Sequence, residues 1–205
     1  MKKTKRITIL FLTMAMAITM LAGCGEKKDG TELDSKAETH TVVDVAGDTV
    51  ELPVKVEKVV NLVPFECQIM IGLGLGDCLI GISEETIETP WLEVMYPRVK
   101  EITTYSYETD VEAILAVNSD VVLCEDVEKA REFRSKGINA VTVMYYSIDD
   151  FKKNITLLGD ILGEDAKIKC NAYLAYFDGV VADVDAKLRN VVSEPETMYY
   201  INGNS

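Results

Sequence analysis

One histidine, His40, stands in 205 residues. Ser-His-Asp triads and multi-histidine zinc or manganese sites are therefore excluded. An enzyme built on this chain would have to work with carboxylates or thiols alone. The acidic residues Glu84, Glu85, Glu88, Glu125, Asp126 and Glu128 read as solvated loops rather than as a general acid and base, so no catalytic residue, resident metal or cofactor is expected. Positive charge is scarce too: 21 lysines and arginines face 34 aspartates and glutamates, a formal net charge of −13. Four of those basic side chains, Lys2, Lys3, Lys5 and Arg6, lie in the first 23 residues, and without them the charge falls to −17. Such a surface repels phosphate backbones, and no basic, aromatic-interleaved stretch offsets it, which excludes nucleic acid as a partner.

Long apolar runs are equally few. Ile7 to Leu21 is the uncharged one, about 15 residues, too short to span a bilayer comfortably. Behind its basic start and before Leu21-Ala22-Gly23-Cys24 it reads as an export signal over residues 1–23. The junction resembles a bacterial lipobox, which implies that Cys24 carries the lipid and becomes the first residue of a membrane-anchored, extracytoplasmic protein. The other reading is an ordinary cleaved signal with a chance cysteine. Two or more acyl chains, at about 0.8 kcal/mol per buried CH₂, would hold the protein on the membrane. Cys67, Cys78, Cys124 and Cys170 allow three disulfide pairings. Buried free thiols are favoured, because Cys67 and Cys124 sit in apolar segments, and Cys67 with Cys78 is the pairing to test.

Residues 24–39 are polar and glycine-bearing and predict a flexible tether that also takes in His40, with order beginning at Thr41. Thr41–Val45 and Thr49–Leu52 predict a β-hairpin closed by Pro53. Short β-branched runs then alternate with helical patterns. Strands are expected at 58–63, 78–82, 101–102, 120–124 and 140–144, and helices at 65–73, 90–96, 111–117, 127–136 and 147–162. The alternation predicts an α/β fold, a Rossmann-like lobe with a mostly parallel sheet over residues 40–163. From about Asp165 to Asn190 a single long amphipathic helix is expected, with Tyr173, Phe177, Val180, Val184 and Leu188 on one stripe; at 1.5 Å per residue it reaches roughly 40 Å. It reads as a spine over 164–192 bridging two bodies. Residues 193–205 carry a new strand, 197–202, which suggests the start of a second lobe that is largely missing; the alternative is a short protein whose last strand joins the first sheet.

The hairpin with Asp44, Gly47 and Asp48, then "VEKVVNLVP" at 56–64, "GLGLGDCLIGIS" at 72–83, "DVEAILAVNSDVVL" at 110–123, "KGINAVTV" at 136–143 and "FKKNITLLGDILGEDA" at 151–166, follow one another in a familiar order. Together they resemble the solute-binding lipoproteins of ABC importers for iron chelates, haem and cobalamin, in which two Rossmann-like lobes are joined by one rigid helix. Asn118-Ser119-Asp120 departs from the pattern, in which lysine and proline often precede the aspartate. The resemblance implies no chemistry, but capture of an iron-siderophore, haem or corrinoid ligand and its delivery to an ABC permease and its ATPase. A surface lipoprotein with a sensory or adhesive role on the same fold is the alternative. Gly72, Gly74 and Gly76 follow a helix and precede a strand, the reverse of a phosphate cradle, and read as a helix stop and turn.

In an open α/β sheet, ligands bind at the carboxyl ends of the strands. That rule nominates Pro64, Phe65, Glu66, Tyr105, Tyr107, Tyr145 and Tyr146, and Trp91 with them, as ligand contacts; Phe65 and Trp91 read equally well as core. The family resemblance further implies that Glu112, at the start of its helix, docks against permease arginines; electrostatic support of the helix N-terminus is its alternative role.

Overall fold

The computed structural model describes residues 38–106, 109–189 and 197. Cys24, the tether before residue 38, Tyr107 and nearly all of the strand expected at 197–202 lie outside the described residues. The chain begins with an antiparallel hairpin, β1 (Thr39–Val43) and β2 (Thr49–Pro53), in register from Thr39 opposite Pro53 to Val43 opposite Thr49. Order starts earlier than the sequence suggests. Thr39 pairs across the hairpin and its hydroxyl donates to Glu51 at 2.5 Å, and His40 belongs to β1, with Nε2 3.0 Å from the Asp160 carbonyl oxygen, not to the tether.

Asp44 closes the hairpin and ties it to the lobe. Its Oδ1 accepts from the backbone N–H groups of Ala46 and Asp48, at 3.0 and 2.9 Å, while Gly47 takes φ 83° between them. Its Oδ2 accepts from the Thr142 N–H at 3.2 Å and the Arg134 guanidinium at 3.3 Å. Arg134 also donates to Asp48 and to the Ala140 carbonyl. The Arg131 guanidinium beside Asp48 holds the Asp48 carboxyl below its usual range. Asp44 is buried, so its removal leaves turn amides and part of Arg134 without their acceptor. Asp44→Ala is expected to cost on the order of 3–5 kcal/mol, read as a lowered urea midpoint at unchanged slope.

A five-stranded, all-parallel sheet follows: β3 (Val59–Asn61), β4 (Leu79–Ser83), β5 (Thr103–Tyr105), β6 (Val121–Cys124) and β7 (Ala140–Thr142), in the order β5-β4-β3-β6-β7. Alternate residues face opposite sides, as strand pleating requires. Val59, Leu79, Val121, Leu123 and Val141 bury against one layer, and Val60, Val122, Cys124 and Ala140 against the other. Six helices flank the strands: α1 (Pro64–Gly72), α2 (Glu84–Ile87), α3 (Leu92–Met95), α4 (Val111–Ala116), α5 (Val127–Ser135) and α6 (Ile148–Leu162). The fifth strand is displaced from its expected place. Residues 97–101 form a 3₁₀ turn opened by Pro97, and Thr103–Tyr105, rather than Glu101 and Ile102, pair with β4. The stretch around Glu84 and Glu85, read as a loop, is α2; two carboxylates in a first turn favour a helix N-terminus.

Ser147 caps α6 by accepting the Asp150 N–H at 3.1 Å, and Gly163, at φ 91°, breaks the chain between α6 and α7 (Glu164–Leu188). At 1.5 Å per residue, α7 is about 37 Å long. Ala166 and Cys170 in its first half are buried, and Tyr173 and Leu174 pack on the core; farther on, Tyr176, Val180, Val184 and Leu188 are exposed. No helix among the described residues is long and apolar enough to cross a membrane. The four cysteines Cys67, Cys78, Cys124 and Cys170 are free thiols, so Cys67 and Cys78 are not bridged.

Candidate functional site

The chain lays β3, β4 and β5 outward in one direction, then returns to place β6 on the opposite side of β3. The carboxyl ends of β3 and β6 thus flank a reversal in strand order, where the connecting loops diverge and leave a crevice. A cavity of about 270 Å³ opens there, lined by Leu62 and Pro64 after β3, Ser83 at the end of β4 with Glu84 and Glu85, Tyr105 at the end of β5 with Ser106, and Cys124 at the end of β6 with Glu125, Asp126 and Lys129. A second hollow of about 490 Å³ shares Pro64 and Glu125 with it and adds Val63, Phe65, Met144, Tyr145 and Tyr146. The two adjoin along the strand ends as one cleft.

Local sequence explains how the walls are set. Asn61, buried at the end of β3, accepts the Val63 N–H on Oδ1 at 2.9 Å and reaches the Met70 sulfur at 3.3 Å, fixing the turn into α1. Pro64 opens α1, where its missing N–H is not needed. Gly81 makes room for Tyr105: a Cβ there would stand 2.5 Å from the Tyr105 ring. Phe65 and Tyr145 meet edge to face with centroids 4.9 Å apart. The Asp126 carboxylate caps α5 by accepting the Lys129 N–H at 2.8 Å. The Cys124 thiol is pushed up to about 12 by burial, so it stays protonated near neutral pH and is no nucleophile. Burial also raises the Tyr105 phenol.

Among the predicted contacts, Pro64, Phe65, Tyr105, Tyr145 and Tyr146 line the cleft. Glu66 does not. Helical geometry turns successive side chains by about 100°, so while Phe65 faces out, the Glu66 carboxyl is fully buried with neither oxygen hydrogen-bonded. Burial lifts it to about 8. Trp91, half exposed just before α3, lines neither hollow. Glu112 sits in the first turn of α4, on a groove with Asp110, Glu128, Glu132 and Lys136 that shares Asp126 and Lys129 with the first hollow. Cys124, Lys129 and Met144 line the cleft as well, and the sequence signals them only by lying within five residues of a strand end. Among the described residues no three His, Cys, Asp or Glu side chains converge to hold a metal ion.

Solved structures with the same arrangement decide the fold. A periplasmic solute-binding protein from Veillonella parvula superposes with a TM-score of 0.66 at 21% identity, over 73% of this chain and 48% of that protein. The fold is that of the periplasmic solute-binding proteins. Within that fold, the petrobactin-binding protein YclQ of Bacillus subtilis matches at TM-score 0.60 and 21% identity, over 72% of this chain and 52% of its own. The vitamin B12 binding protein BtuF of Vibrio cholerae matches at 0.54 and 19%, over 67% and 53%. In sequence, the chain is similar to two proteins of Bacillus subtilis. It is 24% identical to the uncharacterized ABC transporter substrate-binding lipoprotein YvrC, over 94% of this chain, and 24% identical to the probable siderophore-binding lipoprotein YfiY, over 98% of it. The chain spans 62% of the length of each. No family model matches it.

Proposed function

We propose that this chain supplies the N-terminal lobe and spine of a lipid-anchored, extracytoplasmic substrate-binding component of an ABC importer. It captures an iron-siderophore, haem or cobalamin-type ligand and hands it to a membrane permease with its ATPase, without chemistry of its own. The observation that carries this reading is the cleft at the strand-order reversal, walled by Phe65, Tyr105, Tyr145 and Tyr146 and open along the strand ends. Aromatic faces with a few polar groups are the usual make-up of a small-molecule site. Similarity to substrate-binding lipoproteins along almost the whole chain supports the transport role. Cys24 anchors the protein, residues 24–37 give it reach, α7 is the spine, and Glu112 meets the permease. Glu84, Glu85, Glu125 and Asp126 against Lys129 make this side of the cleft acidic, which ranks neutral or cationic chelates ahead of polyanionic ones.

Disruption of the gene tests this reading. Cells lacking it are expected to lose uptake of one ligand among labelled ferric trihydroxamate, haem and cobalamin at submicromolar supply, at least tenfold, and to regain it from a plasmid copy. Unchanged uptake of all three would overturn the transport role.

A further inference from the structure

Phe151, in the first turn of α6, lines neither hollow of the cleft, yet rings crowd it from two directions. On the cleft side stand Phe65, with centroids 6.4 Å apart, and Tyr145, 6.2 Å apart. On the other side stand Tyr173, at 6.1 Å, and Phe177, at 5.0 Å, both on α7. Lys152, the next residue, extends the tie to α7: its ammonium pairs with Asp178 and lies 5.9 Å from the Phe177 ring centroid. The Tyr145 hydroxyl is buried and has no hydrogen-bond partner, so packing alone fixes that ring.

We propose that Phe151 is a positioning residue: it holds Phe65 and Tyr145 as one preset wall of the cleft and fastens that wall to α7. The proposal rests on the reading of the cleft as the ligand site. A planar ring fills the space between two aromatic pairs and restrains both through edge contacts. A branched aliphatic side chain would leave the pairs apart and the cleft rings free to move. Ligand capture would then have to order them, which weakens binding without loss of any direct contact.

The test is titration of the purified lipoprotein with ferric trihydroxamate, haem and cobalamin, comparing Phe151→Leu with Leu158→Ala, a buried position on the same helix outside the ring chain. Phe151→Leu is expected to bind about tenfold more weakly, equivalent to about 1.4 kcal/mol, while Leu158→Ala, though less stable to urea, keeps its affinity within twofold. In Tyr145→Leu the further change Phe151→Leu should cost less than tenfold, because the ring it positions is gone. Affinity of Phe151→Leu within twofold of the wild type, or losses that multiply in the double variant, overturns the proposal. A wild type that binds none of the three ligands removes the transport reading instead. Positioning is then decided by ¹⁹F NMR on protein labelled with 3-fluorotyrosine: Phe151→Leu must shift and sharpen the Tyr145 resonance, assigned by its loss in Tyr145→Phe, and an unchanged line refutes it.

Discussion

Uptake is expected to fall to background in cells carrying Glu112→Arg, while the purified variant binds ligand as the wild type does. Glu112 lies in the first turn of α4, is exposed, and lines neither hollow of the cleft. Its groove, with Asp110, Asp126, Glu128 and Glu132 against Lys129 and Lys136, is acidic and suits a basic partner loop. Opposite permease arginines, as proposed for Glu112, an arginine turns an attraction into a like-charge contact costing several kcal/mol, enough to prevent productive docking. Loss of a carboxylate at a helix N-terminus costs the fold only about 0.3–1 kcal/mol. The two roles of Glu112 therefore separate cleanly: a docking residue shows lost uptake with intact affinity and a near-normal melting temperature. Wild-type uptake by Glu112→Arg would show that the carboxylate merely supports its helix.

Glu66→Gln is expected to stabilise the protein strongly above neutral pH and hardly at all in acid. The carboxyl is fully buried, neither oxygen has a hydrogen-bond partner, and burial lifts its pKa from 4.5 to about 8. The folded state thus holds a proton that the unfolded chain releases. Stability from this site is fully present below about pH 4.5 and is lost as pH rises to about 8, at roughly 1.4 kcal/mol per pH unit. Glutamine keeps the shape and cannot ionise, so the gain at pH 8 is on the order of 4 kcal/mol. Urea unfolding of both proteins at pH 5 and pH 8 measures it. Equal pH dependence in wild type and variant would mean that the carboxyl reaches water or a counter-charge. Glu66 also raises the nearby thiols Cys67 and Cys170, though their own burial matters more.

Much of the lobe could be read from residue pattern alone. Alternating β-branched runs and helices, with Ser147 and Gly163 as punctuation, placed α6 and α7 almost to the residue, since cap chemistry is local. Strand adjacency was not legible. That β6 lies beside β3 follows from long-range pairing that no local signal carries, and the cleft's floor at Cys124 and Lys129 depends on it. Glu66 lies next to a strand end in sequence, yet helical rotation, which sends consecutive residues to different faces, turns it into the core. His40 looks like a linker residue, one polar side chain before a strand, until its partner Asp160, far along the chain, is known. Phe151 was hidden for a similar reason: its ring neighbours come from α1, the segment after β7, and α7.

Ligand capture itself is tested most directly by fluorescence titration of the purified protein through Trp91, its single tryptophan. Ferric trihydroxamate, haem and cobalamin all absorb light and quench a nearby indole when bound. Saturable, one-to-one quenching by one of them with a dissociation constant of about 1 μM or tighter, weakened at least tenfold by Tyr145→Leu, is the expected result. Linear, unsaturable quenching by all three, identical in the Tyr145 variant, would contradict a solute-binding role for this cleft.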